Sequence, residues 1–308
     1  MRHVLSLSDL TPEEILRVLD LASELKNGMR SGERPSRMQN LVMGLLFQKP
    51  SLRTRVSFET LMGQLGGSSL FLGADVGWGT REPVQDFMPI PTSYLDLLVI
   101  RANDHVDVEQ AARFSRCPII NGLTNLCHPC QALADLLTVR ELANDWHSAK
   151  LAYLGDANNV AYSLAAICCR LGIQLTIGAP AGYQFDNRQI DSWNEVAENT
   201  LVRQTDDPRA AVEGADFVYT DVWASMGQED QREQRIRDLA DFQVNASLMS
   251  TAAPGARLLH CLPARRGEEV TTEVIEGPAS AIIQQAENRL HAQKGLVAWL
   301  LTEATPEK

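Results

Sequence analysis

The fold is decided by residues 42–55, which read VMGLLFQKPSLRTR. The first six of them, Val42–Phe47, are apolar and match a buried β-strand. A short turn follows, and apolar residues then recur at the spacing of a helix, at Val56, Phe58, Leu61 and Leu65. A buried strand that leads through a turn into a helix is the repeating unit of a parallel sheet, so this stretch predicts an α/β protein.

The same alternation of apolar run and helix-length segment continues along the chain. Further apolar runs lie at residues 68–72, 95–101 and 117–121, and later at 151–154, 173–177, 201–204, 217–220 and 257–259. A first helix precedes the series, because Thr11-Pro12-Glu13-Glu14 is a capping box with proline at the first helical position, and its apolar spacing continues to about Lys26. The series predicts strands joined by helices, and therefore parallel sheets.

The chain also predicts two domains. Its 308 residues exceed what a single core normally organises. The charged segment 141–150 separates the two strand series, so we place the domains at 1–147 and 148–285, and we expect the final helix, 286–308, to pack on the first. The predicted fold class is α/β: two doubly wound parallel-sheet domains with a cleft between them and a C-terminal helix that returns to the first domain.

Composition excludes several classes of protein. Lys and Arg total 28 against 39 for Asp and Glu, and this net charge of −11 opposes general binding to nucleic acid or to an anionic membrane surface. No apolar stretch reaches the ~18 residues that a membrane span needs. Asp9 precedes any apolar signal region, so we expect a cytoplasmic protein whose six cysteines form no disulfides.

The turn after the first strand is rich in cations and hydroxyls. Ser51, Arg53, Thr54 and Arg55 open a helix, whose N-terminal N–H groups and partial positive charge attract anions. Arginine adds a fork that matches phosphate oxygens. The stretch therefore predicts a site for a small phosphorylated ligand. The alternative is a helix cap with solvated arginines.

A second group of polar residues follows two other strands of the first series. Arg101 ends one run, and His128 and Gln131 follow the next. Ligands bind beyond the carboxyl ends of parallel strands, where these groups can stabilise charge on a carbonyl oxygen. The alternative is a histidine with a purely structural role.

Cys127 and Cys130 also form a C-x-x-C pair. No second pair completes a zinc site, and a redox dithiol does not explain the anion-binding turn.

In the second half of the chain, polar residues again follow directly after predicted strands. Residues 155–159 follow a strand but lack the glycines of a dinucleotide-binding turn. Asp221 and the segment 225–227, Ser-Met-Gly, follow another strand, and residues 260–263, His-Cys-Leu-Pro, follow the last one. A carboxylate there suits a ligand ammonium group, although an Asp at a strand end is also a common helix cap.

Taken together, these motifs resemble the aspartate and ornithine carbamoyltransferase family. The match rests on residues 51–55, 128–131, 221–227 and 260–263, and it extends to 286–289. The Ser-Met-Gly segment favours the ornithine branch. The resemblance implies a first domain for carbamoyl phosphate, a second domain for L-ornithine, and a homotrimer or a multiple of trimers. It implies transfer of the carbamoyl group to the δ-amine of ornithine, giving citrulline for arginine biosynthesis, without a metal or an organic cofactor.

The resemblance also assigns roles to residues by motif position. The carbamoyl phosphate ligands would be Ser51, Leu52, Arg53, Thr54, Arg101, His128, Gln131, Cys261, Leu262 and Arg289. The ornithine ligands would be Asn159, Asp221, Ser225 and Met226. The catalytic residues would be Arg53, Thr54, Arg101, His128 and Cys261.

Three features depart from the family pattern. Pro89 and Pro91 interrupt a segment that is usually one helix, so we predict that the helix is broken or kinked there. Arg265 stands where a histidine is expected. Trp78 lies in a loop where relatives that use N-acylated ornithine also place tryptophan, although we interpret it as a packing or subunit-contact residue. An N-acylated ornithine or other amine as substrate, a non-catalytic homologue, and more distantly a dinucleotide oxidoreductase are the alternatives.

Overall fold

The computed structural model describes residues 1–224 and 229–304. The chain divides into two compact units, one of Met1–Leu137 together with the residues from Asn288 onward, and one of Thr138–Glu287. This division lies inside a helix, Pro129–Leu142. The domain bounds of 1–147 and 148–285 remain a prediction.

The first unit is built on a parallel sheet. Its strands are β1 (Val42–Phe47), β2 (Ser68–Leu72), β3 (Leu97–Arg101) and β4 (Ile119–Leu123), and their order among the described residues is β2-β1-β3-β4. Its helices are α1 (Pro12–Arg30), α2 (Leu52–Gln64), α3 (Val84–Phe87), α4 (Pro91–Tyr94), α5 (His105–Phe114), most of α6 (Pro129–Leu142) and most of α13 (Ile282–Thr302), with 3-10 turns at Leu7–Asp9 and Ala74–Val76.

The second unit is built on a second parallel sheet. Its strands are β5 (Lys150–Leu154), β6 (Gln174–Gly178), β7 (Val202–Thr205), β8 (Phe217–Thr220) and β9 (Arg257–His260), in the order β7-β6-β5-β8-β9 among the described residues. Its helices are α7 (Asn159–Leu171), α8 (Asn187–Ala197), α9 (Pro208–Val212), α10 (Arg232–Leu239), α11 (Ala246–Met249) and α12 (Thr272–Ile275), with 3-10 turns at Glu229–Gln231 and Ala240–Phe242.

The predicted parallel-sheet α/β fold is confirmed, and every predicted strand lies within two residues of its observed position. In each sheet the chain reverses its direction of winding once, between β1 and β3 in the first unit and between β5 and β8 in the second. Ligands of open α/β sheets bind at such switch points, beyond the carboxyl ends of the strands. The topology therefore selects two strand ends in each unit as places for ligand-binding residues.

The proline-bearing segment, for which a break or a kink is predicted, contains a break. Helix α3 ends at Phe87, and α4 begins at Pro91, the first position of a helix, where the missing N–H costs nothing. Met88, between the two helices, is fully buried in the same apolar cluster as Trp78. Trp78 is thus a packing residue of the first unit. No helix in the described part of the chain is long and apolar enough to cross a membrane.

Helix α13 packs against α1 without room for a side chain at Gly295. A Cβ atom built on Gly295 would overlap the carbonyl oxygen of Val18 and lie 2.7 Å from the backbone nitrogen of Ala22. Since both obstacles are backbone, no side-chain rotation relieves them. The close approach of these two helices sets where the polar residues of α13 lie.

We therefore expect Gly295→Ala to lower the free energy of unfolding by about 1–3 kcal/mol, because two buried helices must separate. The measurement is chemical denaturation followed by circular dichroism. Gly63→Ala is the matched control: Gly63 is an exposed residue of α2 with open space around a built Cβ. It should leave stability unchanged or raise it by about 1 kcal/mol. Equal effects of the two variants would contradict the close contact.

Candidate active site

The N-terminus of α2 lies at the switch point of the first sheet and has no side-chain cap. Ser51 occupies the N-cap position in extended conformation, but its side chain makes no capping hydrogen bond. Its hydroxyl donates instead to Thr54 Oγ1 at 2.9 Å. The first N–H groups of a helix have no partner within the helix, so those of α2 can bind an anion. The alternative of an ordinary Ser51 cap does not apply.

Arg101 lies at the end of β3, next to this helix start. The register pairs Arg101 with Phe47, the last residue of β1, and Gln48 N–H donates to the Arg101 carbonyl at 2.9 Å. The pairing with β4 is irregular between Ile100 and Arg101, and such a bulge redirects a side chain. The side chain is buried, at 6% exposure, and no carboxylate pairs with it among the described residues.

Arg289 and His128 lie near Arg101 in the same buried polar group. Arg289, on α13, donates to Thr54 Oγ1 at 3.0 Å. Burial, and then the charge of Arg289, lower the pKa of Arg101 to about 10. Burial, and then the charges of Arg289 and Arg101, hold the pKa of His128 well below its usual value. The structure thus places two guanidinium groups near a neutral imidazole, which is an arrangement that favours an anion.

Gln131 is buried on α6 and has a defined orientation. Its amide nitrogen donates to Asp135 Oδ1 at 2.8 Å, while its amide oxygen has no hydrogen-bond partner among the described residues. The open position is therefore an acceptor. The amide nitrogen has a second N–H, so donation to a carbonyl oxygen stays a prediction, and the amide oxygen can in addition accept from a ligand N–H.

Two residues that we predicted to bind phosphate, Leu52 and Arg53, have side chains outside the buried group of Arg101, Arg289 and His128. Leu52 is 79% exposed, and Arg53 is exposed as well. Both belong to the first turn of α2, so their backbone N–H groups point along the helix axis whatever their side chains do. Arg55 is engaged elsewhere, in an ion pair with Glu59 at 2.9 Å and over the ring of Phe71.

In the second unit, the register of the sheet brings Asp221 and Cys261 together. Thr220 of β8 pairs with His260 of β9, so the two residues that follow these strands are neighbours. The Cys261 thiol donates to Asp221 Oδ1 at 2.9 Å. Asn158, after β5, donates its amide to Asp221 Oδ2 at 2.9 Å. Both oxygens of the buried Asp221 carboxylate are therefore oriented.

Asn158 was missed by the sequence interpretation, which selected Asn159. Its side-chain oxygen caps α7 by accepting from the N–H groups of Val160 and Ala161, and it also accepts from the hydroxyl of Tyr153 at 3.2 Å. An Asn before a helix is a recognisable cap. The contact with Asp221 joins two loops and has no sequence signal. Asn159 is the first residue of α7, and the predicted ligands Ser225 and Met226 lie outside the described residues.

Arg235 ties the loops after β5 and β8 to α10. Its guanidinium lies 2.6 Å from Asp156 Oδ2 and donates to the Trp223 carbonyl at 3.0 Å. Burial raises the pKa of Asp156, and Arg235 opposes that rise. The contact fixes the chain just before the segment 225–228.

His260 has both ring nitrogens engaged. Nδ1 accepts from the Leu262 N–H at 2.9 Å, and Nε2 lies 3.1 Å from Glu269 Oε1. The donor atoms of His260, Cys261 and Asp221 lie within 4.8 Å of one another, close enough for one metal ion. Cys261 Sγ donates to Asp221 Oδ1, while the two ring nitrogens of His260 contact the Leu262 N–H and Glu269 Oε1. Sequence interpretation also missed Glu269, because only the fold brings it to His260.

The shifted pKa of His128 makes stability depend on pH. The unfolded chain binds a proton at this histidine below about pH 6.5, while the buried native ring stays neutral. Stability contributed by the neutral ring is therefore complete above that pH and is lost as the pH falls. Between about pH 7 and pH 5.5, the unfolding free energy of the wild type should fall more steeply than that of His128→Gln, by up to about 1.4 kcal/mol per pH unit.

Denaturation at several pH values measures this difference. The control His147→Gln removes an exposed histidine and should keep the wild-type slope. Parallel curves for the wild type and His128→Gln would show that His128 takes up a proton in the folded protein.

Comparisons with known proteins match the two halves of the chain to two domain families. The family model of the aspartate/ornithine carbamoyltransferase carbamoyl-P binding domain matches residues 2–141, and that of the Asp/Orn binding domain matches residues 147–300. The chain is 44% identical over 303 residues to the ornithine carbamoyltransferase of Wolinella succinogenes, covering 97% of this chain and 98% of the relative. It is 44% identical over 314 residues to that of Bacillus subtilis, covering 100% and 96%.

Solved structures are similar along the whole chain. The ornithine carbamoyltransferase from Pyrococcus furiosus superposes with a TM-score of 0.93 at 43% identity, covering 96% of each chain. That from Thermus thermophilus superposes with a TM-score of 0.88 at 38% identity, covering 98% of this chain and 99% of the other. With both domain models matched in order and relatives at this identity over nearly full length, the chain belongs to the aspartate/ornithine carbamoyltransferase family.

Proposed function

We propose that this protein transfers the carbamoyl group of carbamoyl phosphate to the δ-amine of L-ornithine, giving L-citrulline and phosphate. The observation that carries the proposal is Arg101, a buried guanidinium without a carboxylate partner among the described residues, with Arg289 close enough to lower its pKa. Leaving a buried charge unpaired costs free energy. A ligand with negative charge on both a phosphate and a developing oxyanion removes that cost.

The phosphate group is proposed to bind at the start of α2. The uncapped N–H groups of residues 52–54 and the hydroxyls of Ser51 and Thr54 are donors there. Arg289 already contacts Thr54 Oγ1, so its charge lies where a phosphate on this helix terminus needs it. Arg53 is exposed in the isolated chain, and its proposed contact is with a phosphate oxygen on the outer side of the turn.

The carbamoyl group is proposed to lie against Arg101, His128 and Gln131. Arg101 and an N–H of the neutral His128 ring stabilise the carbonyl oxygen, which gains negative charge as the amine attacks. Gln131 Oε1 accepts from the carbamoyl NH₂ group, since its own amide nitrogen is held by Asp135. Cys261 and Leu262 of the second unit are proposed to bind the same group.

Ornithine is proposed to bind through its α-amino and carboxylate groups to Asn159, Asp221, Ser225 and Met226. Asp221 suits the ammonium group because its carboxylate is buried and its two oxygens are oriented by Asn158 and Cys261. The δ-amine attacks in its neutral form, forms the N–C bond, and the C–O bond to phosphate breaks. The departing phosphate is a proton acceptor for the amine, so the chemistry needs no carboxylate base, metal or organic cofactor.

The assembly is proposed to be a homotrimer or a multiple of trimers. Strand β2 is an edge of its sheet and exposes Leu70 at 53% and Phe71 at 36%, and the neighbouring α2 exposes Leu52 and Val56. An exposed edge strand with apolar side chains tends to associate with another chain, and a second copy of this chain is the proposed partner. We also propose that the protein works in the cytoplasm, where its buried thiols stay reduced.

A substrate panel tests the function. Purified protein with carbamoyl phosphate should form a ureido product with L-ornithine and not with N-acetyl-L-ornithine, L-aspartate or putrescine. Arg101→Met, which keeps the apolar stem, should lower kcat by about 100- to 1,000-fold because one stabilising donor is lost. Turnover with another amine alone would reassign the second unit, and carbamoyl phosphate binding without any turnover would indicate a non-catalytic homologue.

Light scattering with size-exclusion chromatography tests the assembly. We expect a mass of three times the 34.0 kDa chain, or a multiple of that mass. Leu70→Glu should dissociate the trimer, because it places a charge on the proposed contact. The control is Val196→Glu, which changes a residue of similar exposure, 56%, on α8. A monomeric wild type, or a trimer unaffected by Leu70→Glu, would contradict the proposed interface.

A further inference from the structure

Glu269 and His260 form a fully buried acidic and basic pair in the second unit. The carboxyl oxygen Oε1 lies 3.1 Å from His260 Nε2, and both side chains have zero exposure. The same oxygen accepts from the backbone N–H of Arg265, while Oε2 has no hydrogen-bond partner among the described residues. A carboxyl group is costly to bury, so a pair in this position needs a reason beyond packing.

The hydrogen bonds of His260 determine the tautomer of its ring. The backbone N–H of Leu262 donates to Nδ1 at 2.9 Å, so Nδ1 carries no proton. A neutral ring with a bare Nδ1 carries its proton on Nε2, which then donates to Glu269 Oε1. An acceptor at the position of Glu269 therefore selects the one neutral tautomer that can bind Leu262.

The hydrogen bond from the Leu262 N–H to His260 Nδ1 stabilises an unfavourable backbone conformation at Leu262. Its φ is +58°, in the left-handed region that a side chain other than glycine rarely adopts. The N–H that donates to His260 belongs to the same residue, and it stabilises this conformation. Cys261 precedes it, and the turn orients the thiol toward Asp221 Oδ1 at 2.9 Å.

The backbones of His260 and Glu269 are each held by a hydrogen bond of their own. His260 is the last residue of β9, and its N–H donates to Gln285 Oε1 at 2.7 Å. The Glu269 carbonyl accepts from Val244 N–H at 2.9 Å, which ties residue 269 to the segment before α11. The backbones of residues 260 and 269 are therefore each held by a hydrogen bond separate from the contact between their side chains.

We propose that Glu269 is a positioning residue that selects the Nε2–H tautomer of His260, and thereby holds Cys261 and Leu262 in the conformation that ornithine turnover requires. The proposal rests on the proposed function for its kinetic consequence only. The tautomer of His260 is a property of the protein without substrate. Glu269 is fully buried against His260 and is not among the residues proposed to bind a substrate.

The kinetic test compares two substitutions at Glu269. Glu269→Leu removes the acceptor at similar volume and should lower kcat/KM for ornithine by about 10- to 100-fold, the value of one buried hydrogen bond to a charged group. Glu269→Gln keeps an acceptor oxygen for the ring and for Arg265 N–H, and should stay within about threefold of the wild type. The control Glu276→Leu removes an exposed carboxylate of the same unit and should not change kcat/KM.

A double-mutant cycle separates positioning from general damage. His260→Asn retains an acceptor near the Nδ1 position but breaks the connection to Glu269. In that background Glu269→Leu should cause no further loss of kcat/KM. A full additional loss would show that Glu269 acts through another route and would overturn the proposal.

The tautomer is measured directly by ¹⁵N NMR of the intact protein labelled at histidine. His260 is assigned by the signal that disappears in His260→Asn. We expect a bare Nδ1 and a protonated Nε2 in the wild type and in Glu269→Gln. A protonated Nδ1 in the wild type, or wild-type kcat/KM in Glu269→Leu, would overturn the proposal. Wild-type protein that makes no citrulline would overturn the proposed function, while the NMR result would still decide the tautomer.

Discussion

In both units, the hydrogen-bonded register of adjacent parallel strands decides which loop residues can meet. Phe47 pairs with Arg101, and Thr220 pairs with His260, so neighbouring strands end at the same level. The residues that come next along the chain must then lie side by side. This constraint places a helix terminus beside Arg101 in the first unit, and it places Asp221 beside Cys261 in the second.

The strand ends of the two units have opposite electrostatic character. The reason is the charge of the side chains that follow the strands in each unit. The first unit collects the guanidinium groups of Arg101 and Arg289, which lower the pKa of the buried His128. Arg289 lies on α13, which packs closely on α1 at Gly295. The second unit collects carboxyl groups, each held by a donor, as Asp221 is by Cys261 and Asp156 by Arg235. A dianionic donor and a cationic amino acid need such opposite surroundings.

Much of this could be predicted from local sequence. Strand positions follow from apolar runs, and the break between α3 and α4 follows from proline, because both depend on residues close in the chain. Side-chain capping is harder to predict from sequence. Ser51 stands at the N-cap position of α2, but its hydroxyl donates to Thr54 Oγ1 and does not cap the helix. The orientation of Gln131 depends on Asp135 one turn away, which composition does not reveal. The domain division inside α6 also has no local signal.

By itself, the sequence determined the parallel-sheet α/β architecture, the strands and the four motifs at their ends. The physical reason is that hydrophobic periodicity, turn residues and helix starts are properties of short segments. Only the tertiary structure decided that Asn158 orients Asp221, that Arg101 is buried without a carboxylate partner among the described residues, and that Glu269 faces His260. Contacts between different loops, and the loss of solvent around a charge, depend on how distant segments pack, and no short stretch of chain encodes them.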